Sequence, residues 1–299
     1  MRYTKPAVKL SDQVSLLQSR GLIIEDEDLA SSFLSNVSYY RLRAYTYPYQ
    51  NNKKTDHPFK EGVRLEDVMA LYNFDRKLRI LVFDAMERIE IAVRTQIIYQ
   101  WSITNGSHWH LESHLFRNQG IHAENLTSLQ KEVDRSKETF IDHYLKKYTE
   151  PPQPPAWMSL EVTSIGLLSK FFKLLKRGSQ KKKVVQHFGV YDIELFETWL
   201  RCFSEIRNIC AHHGRLWNRR MTTHIEFPLK PIYPFIKNTN VLPYKVYAAL
   251  TCMSYVLDII HPESDFKGKV REILGTCPRG QLKEMGVPKN WQEEQFWKS

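Results

Sequence analysis

The chain has 299 residues, of which 42% are hydrophobic and 25% charged, with 12 Gly and 14 Pro. That length buries a sizeable core without a disulfide or metal staple, and the composition excludes collagen, low-complexity disorder and a coiled-coil rod. Forty-three Lys and Arg against 33 Asp and Glu leave a net charge of +10, an excess that favours a polyanionic partner, nucleic acid first of all.

Cys202, Cys210, Cys252 and Cys277 show neither the CxxC spacing of zinc ribbons and redox sites nor the density of a secreted scaffold. They read as reduced thiols of a cytoplasmic protein. The N-terminal stretch 1–6 turns polar before any apolar run builds, unlike a signal peptide, and no apolar run approaches the length that spans a bilayer.

Helical spacing recurs from end to end while alternating β-branched runs are short, so the expected fold is mostly α. The first helix is expected from a cap at Ser11-Asp12, through Val14, Leu16 and Leu17, to a stop at Gly21. A second begins near Glu27 with Leu29, Phe33 and Leu34, and a third covers 38–47 and ends at Pro48. Tyr39, Tyr40, Tyr45, Tyr47 and Tyr49 interleave there with Arg41 and Arg43. That mixture suits stacking on unpaired bases, or packing on the core for half of the rings. The polar loop 51–58 marks a module boundary.

From 64 to about 101 runs the longest helical pattern, free of Gly and Pro, with Leu71, Phe74, Leu78, Leu81, Ala85, Ile89 and Ala92 on one stripe. Its flanks, Ile80, Ile91, Ile98, Val82 and Val93, are apolar too, so the helix is expected to be largely buried. Arg76, Arg79, Glu87, Glu90 and Arg94 gather opposite, where they reach solvent, pair with one another or line a polar cleft. Glu90 and Arg94 have the favourable i,i+4 order.

Residues 104–125 are rich in His and Asn, a helix is expected over 126–148, and the proline run 151–155 reads as a stiff linker. The middle of the chain thus reads as an insertion between core helices. His108, His110 and His114 stand near Glu112 without strong ligand spacing and are expected to be exposed; no metal site follows. Further helices are expected over 157–176 and 192–213. Between and along them lie Lys170, Lys173, Lys176, Arg177, Lys181, Lys182 and Lys183, seven cations without an interspersed acid. They form either a solvated loop or, the favoured reading, an RNA contact driven by counterion release. A last helix is expected over 244–260, followed by a polar tail that closes with Trp291 and Trp297. No internal repeat, Gly-rich phosphate loop, Walker motif or Ser-His-Asp set is present, and no cofactor is implied.

The segment 205–219 carries the chemistry. Leu195, Trp199, Phe203, Ile206 and Cys210 form an apolar stripe, and Gly214 is a natural terminator, so His212 and His213 occupy a helix end. One reading is structural: cations favour the last turn of a helix through its dipole, with Asn208 and the arginines as solvated surface. The other is chemical. Arg207 supplies a permanent charge for a phosphate and His212 a group that titrates near neutrality. Five residues apart, they diverge by about 140° on an ideal helix. A bent helix end, or two copies across a twofold axis, brings such pairs to one groove.

Arg207-Asn208 followed by His212 resembles the RNxxxxH-type motif of HEPN (higher eukaryotes and prokaryotes nucleotide-binding) ribonucleases. The whole chain resembles the Abi-like (AbiD/AbiF) abortive-infection proteins of bacteria. The resemblance is carried by QVSLLQSRG at 13–21, YYRL at 39–42, YNFDRKLR at 72–79, ERIEIAVRT at 87–95, WMSLE at 157–161, GLLS at 166–169, 207–217 and MGVPKNW at 285–291. It implies a helical HEPN core that cuts RNA without metal in phage defence, and association of some members with a small structured RNA. In that chemistry the ribose 2′-hydroxyl attacks the adjacent phosphate, a His moves protons and an Arg stabilises the phosphorane. Arg207 and His212 match the catalytic positions; His213 satisfies a looser spacing, and Asn208 orients the His or closes the helix. Glu90 and Arg94 are candidate supporting groups, and Arg41, Arg43 and Arg215 join the lysine patch as candidate RNA contacts.

The expectation is a HEPN-like helical bundle with a small N-terminal helical module at 1–60, a core at 61–262 with its insertion at about 104–155, and a tail at 263–299 packing on the core. Its expected function is that of a cytoplasmic, homodimeric, metal-independent endoribonuclease. Two rivals stand beside it: a non-catalytic RNA-binding protein holding a small structured RNA, and a partner-binding regulator of an unrelated toxin.

Overall fold

The computed structural model describes residues 2, 6–278 and 280–298; Met1, Tyr3, Thr4 and Lys5, on which the N-terminal reading partly rests, lie outside the described residues. Among the described residues there is no strand, and the fold is mostly α. The first four helices are α1 Leu10–Ser19, α2 Glu27–Val37, α3 Tyr39–Thr46 and α4 Leu65–Asn105. Then follow α5 Gln119–Arg135, α6 Thr139–Lys147, α7 Ala156–Ser159, α8 Ile165–Leu174 and α9 Ser179–His187. The last four are α10 Ile193–Ala211, α11 Val246–Ile260, α12 Phe266–Gly275 and α13 Gln295–Lys298. No helix among the described residues is long and apolar enough to cross a membrane.

The chain divides into two compact units, one of residues up to 78 with 273–282, the other of 79–272 with 283–299. In the first, α1 packs on α2 and α2 on α3. Asp26 caps α2 by accepting the Leu29 N–H at 2.8 Å, which satisfies one of the orphan donors of a helix start. Tyr45 is buried, donates to Asp75 at 2.6 Å and meets the Tyr72 ring edge-on, so it is a core residue and not a stacking platform. Tyr40 and Tyr47 remain exposed, as does Arg43, while Arg41 is half-buried. The polar loop 51–58 lies inside this unit.

In the second unit α10 is the centre: α8, α9 and α11 pack on it, and α5 packs on α8. Its inner face buries Phe196, Trp199, Phe203, Ile206 and Cys210. Helix α11 buries every residue from Val246 to Leu257, as expected of a helix apolar on all sides. Within this unit, Trp101 of α4 meets Phe172 of α8 edge-on.

Two long helices expected from periodicity are broken. The 126–148 pattern splits into α5 and α6 where the Ser136 hydroxyl accepts the Glu138 N–H, and α5 begins earlier, at the Asn118 cap. The 157–176 pattern splits into α7 and α8: Thr163 donates back to the Ser159 carbonyl, and Ser164 caps α8 while Glu132 accepts its N–H at 2.8 Å. Hydroxyl side chains compete with the helix ladder for backbone groups, a local effect that apolar spacing does not register. The proline run is no free linker either. Pro154 and Pro155 are buried, and the carbonyls of Pro151 and Gln153 are held by Tyr144 and His108. Beyond Pro262 the chain is helical again, and Trp297 is buried with its ring N–H on the Tyr247 hydroxyl at 2.9 Å.

Candidate functional site

Helix α10 ends in a Schellman motif. The Gly214 N–H bonds the Ile209 carbonyl at 2.7 Å, and the His213 N–H bonds the Cys210 carbonyl at 3.0 Å. The left-handed residue is His213, at φ +56°, in place of the expected Gly214. A non-glycine residue there costs roughly 1 kcal/mol. Gly214 is needed for space instead: a Cβ would stand 3.2 Å from the Ile209 carbonyl oxygen and 3.3 Å from its Cγ2. His212 is the cap residue, its N–H on the Asn208 carbonyl, and both histidine side chains are exposed.

One and a half turns back, Arg207 is held from the side. Its Nε lies 3.6 Å from one carboxylate oxygen of Glu90 on α4, and Nη1 donates to Asn208 Oδ1 at 3.4 Å. The other Glu90 oxygen accepts from Arg94 Nη2 at 2.9 Å, and the same nitrogen donates to the Thr163 carbonyl at 3.0 Å. Glu161 stands 4.0 Å from Arg94 Nη1. Glu90 and Arg94 expose only 12% and 10% of their side chains, against 33% for Arg207. The i,i+4 pair therefore does not face solvent; it forms a buried base on which the one more open guanidinium rests. Asn208 is exposed, and its side-chain carbonyl accepts from Arg207 while its backbone carbonyl accepts the His212 N–H.

The chain beyond the helix returns along α10. Leu216 and Trp217 are fully buried, and Glu205 accepts the Thr222 N–H at 2.8 Å, the Thr222 hydroxyl at 2.7 Å and the Thr223 N–H at 3.1 Å. Arg215, in this return, is half-buried. Burial pushes the Cys202 and Cys277 thiols up to about 12 and Cys252 upward as well, so these three are not activated nucleophiles.

The lysine patch is rearranged. Lys170, Lys173, Lys176, Arg177, Lys182 and Lys183 are exposed, but Lys181 is fully buried. Its ammonium pairs with Glu197 of α10 at 2.7 Å and donates to the Lys173 and Leu175 carbonyls at the end of α8. Arg177 pairs with Glu194. The acids absent from the patch in sequence arrive from α10, so the surface carries fewer uncompensated charges than its seven residues suggest, and Lys181 leaves the candidate RNA contacts. Arg41 and Arg43 belong to the other compact unit.

The histidine-rich segment also differs from expectation. His110 is fully buried, His108 half-buried and His114 exposed, and among the described residues no group of three His, Cys, Asp or Glu is placed to hold a metal. Neither ring nitrogen of His110 has a hydrogen-bond partner among the described residues, and burial, then His108 and His122, push its pKa down to about 3.

The family model of the Abi-like proteins matches residues 32–218, well over half of the chain. The chain belongs to the Abi-like protein family. The matched stretch contains α4, α10, Glu90, Arg94, Arg207 and both helix-end histidines; the runs at 13–21 and 285–291 lie outside it. No curated protein and no solved structure matches this Abi-like chain. Sequence reading missed Glu161, Glu197 and Glu205, each an acid that holds a cation or a backbone turn from a distant element. Their signal is a lone carboxylate on a helix or loop, which resembles ordinary surface.

Proposed function

We propose that this Abi-like protein is a cytoplasmic, homodimeric, metal-independent endoribonuclease of the HEPN type, acting in abortive infection and phage defence. The observation that carries the reading is Arg207, a guanidinium seated on Glu90 at 3.6 Å and one-third exposed, on the same helix end as the exposed His212. A charge that is oriented from behind and open in front suits a phosphate. His212 at the cap is free of the helix ladder on its side-chain side and is the proton-transfer group.

In the proposed reaction His212 takes the proton of a ribose 2′-hydroxyl. The O2′–P bond forms, Arg207 stabilises the charge of the phosphorane, and the P–O5′ bond breaks, leaving a 2′,3′-cyclic phosphate. The leaving 5′-oxygen takes a proton from the second copy's histidine or from water. Asn208 fixes Arg207 laterally. Glu90 and Arg94 act as positioning residues, and Lys182, Lys183 and the other exposed cations hold the RNA.

A dimer is supported by the outer face of α4. Ile80 is 56% exposed, Ile91 48%, Tyr99 56% and Ile103 72%. Glu87, Ile91, Thr95, Tyr99 and Ile103 follow one another at four-residue steps, and such a row forms a ridge ready to enter a groove. The same ridge borders Glu90, so a second copy seated there completes a groove around two Arg207–His212 pairs.

The test is RNA cleavage in the presence of a chelator by wild type, Arg207→Ala and His212→Ala. Loss of roughly 10²-fold or more is expected for His212→Ala, with RNA affinity preserved. If neither substitution matters while RNA co-purifies intact, the protein is a non-catalytic holder of a small structured RNA instead.

A further inference from the structure

A cleft of about 750 Å³ lies between α8 and α10, within the range of ligand-binding clefts, roughly 300–1,000 Å³. Four cations line it: Lys170 and Lys173 of α8, Arg201 of α10, and Arg117. Arg117 is set in place by the backbone, because Phe116 and Leu175 form an antiparallel bridge, the Arg117 N–H bonds the Leu174 carbonyl at 3.0 Å and its guanidinium bonds the Lys173 carbonyl. Two carboxylates, Glu194 and Glu197, share the wall: Glu194 pairs with Arg177 and Glu197 with the buried Lys181, both cations outside the lining, and Glu197 also lies 3.9 Å from Arg117. The cleft therefore has a positive excess.

Its floor is made of hydroxyls. Ser204 and Thr223 are 8% and 7% exposed, and both line the cleft. Thr223 is fixed by its N–H on Glu205 at 3.1 Å, and Gly166 of α8 comes so close to α10 that a Cβ would stand 3.2 Å from Ser204 Oγ. Hydroxyl donors at the base of a cleft walled by cations suit an acceptor-only ligand with several oxygens. Along α10, Ser204 and Arg201 precede Arg207 by about 4.5 and 9 Å. Arg201 and Arg207 point about 120° apart around α10, with Ser204 midway between them in angle and height, so a strand held by Arg201 winds past Ser204 toward Arg207.

We propose that this cleft binds the phosphodiester backbone of single-stranded RNA beside the scissile bond. The choice of RNA as ligand rests on the ribonuclease reading; the cleft and its charge do not. Binding of a short single-stranded RNA is measured in the His212→Ala background, so that the strand stays intact, with Arg201→Gln and Lys170→Gln introduced separately. Both side chains are exposed, so the variants are expected to melt with the parent protein. Each should weaken binding roughly tenfold and lower the salt slope by about 0.7, the contribution of one phosphate contact to a single strand. Inorganic phosphate at the RNA's own concentration should not displace the strand.

Unchanged affinity and slope in both variants overturn the proposal, as does displacement by inorganic phosphate, which marks a simple anion site. The two readings fail separately. If His212→Ala abolishes cleavage while Arg201→Gln binds normally, the cleft is wrong and the ribonuclease stands. If Arg201→Gln loses affinity while His212→Ala and Arg207→Ala cleave like wild type, the cleft stands and the proposed catalytic pair falls.

Discussion

Glu90 shows how much a single carboxylate decides. Each of its oxygens faces a different guanidinium, Arg94 at 2.9 Å and Arg207 at 3.6 Å, in a place where only 12% of its side chain is exposed. Glu90→Gln keeps the shape and removes the charge, leaving the buried Arg94 with only the more distant and exposed Glu161 as counter-ion, at a cost of about 3 kcal/mol. It should also lower kcat about tenfold with little change in KM, because Arg207 loses its orientation and not its charge. Denaturant unfolding and steady-state cleavage check the two effects; a change in KM alone removes the positioning role. His110 makes the second prediction. Its folded-state pKa is near 3 against an ordinary 6.5, so between those values the unfolded chain holds more protons than the folded one. The stability from this residue is complete above about pH 6.5 and is lost, by several kcal/mol, as pH falls toward 3. His122, also shifted downward by burial, acts in the same direction. Urea unfolding from pH 7 to 4 should show a steep loss in the wild type and a flatter one in His110→Phe; equal slopes would refute the assignment.

The junction of α8, α9 and α10 turns on one lysine. Lys181 comes from α9, ends α8 by taking its Lys173 and Leu175 carbonyls, pairs with Glu197 of α10 and lies 4.9 Å from the Phe172 ring centre. A cation at a helix C-terminus is favourable, and a buried pair broken on one side leaves a buried charge behind. Burial lowers the Lys181 pKa, with Glu197 opposing the shift. Lys181→Ala should therefore destabilise the protein by about 3 kcal/mol, whereas Lys182→Ala and Lys183→Ala should each stay within about 0.5 kcal/mol. Thermal melts separate them. An RNA-binding test that replaces all three lysines confuses unfolding with lost contacts; the Lys182, Lys183 double variant reads contacts alone. Should Lys181→Ala melt with the wild type, the pairing contributes nothing.

For the molecule as a whole, the proposed dimer rests on the exposed outer ridge of α4. From Glu87 to Ile103 the ridge extends about 24 Å, long enough for a helix-to-helix interface between copies. Ile91→Lys places a charge in that interface. Light scattering should give a dimer for the wild type and a single chain for Ile91→Lys, with cleavage lost in parallel if the groove is composite. A wild-type protein that is monomeric at assay concentration and still cuts RNA is incompatible with the composite site.

Much of this protein is written in local spacing. The mostly α class and the extent of α4 and α10 follow from residues three or four positions apart, because helix periodicity and caps act within a turn or two, while the family shows in the resemblance of sequence runs along the chain. What tertiary structure alone decided are the pairings between remote elements. Seven cations at 170–183 look alike in sequence, yet Glu197 draws Lys181 inside and leaves Lys182 and Lys183 outside. Glu90 and Arg94 look like a solvated i,i+4 pair until Arg207 and the Thr163 carbonyl close over them. Ile80 and Ile91 are apolar enough for a core but remain on the surface, and His110, polar enough for a surface, is fully buried. Burial and ion pairing depend on which faces meet once the helices are packed, and that choice is made by the summed fit of many side chains, not by any window of sequence.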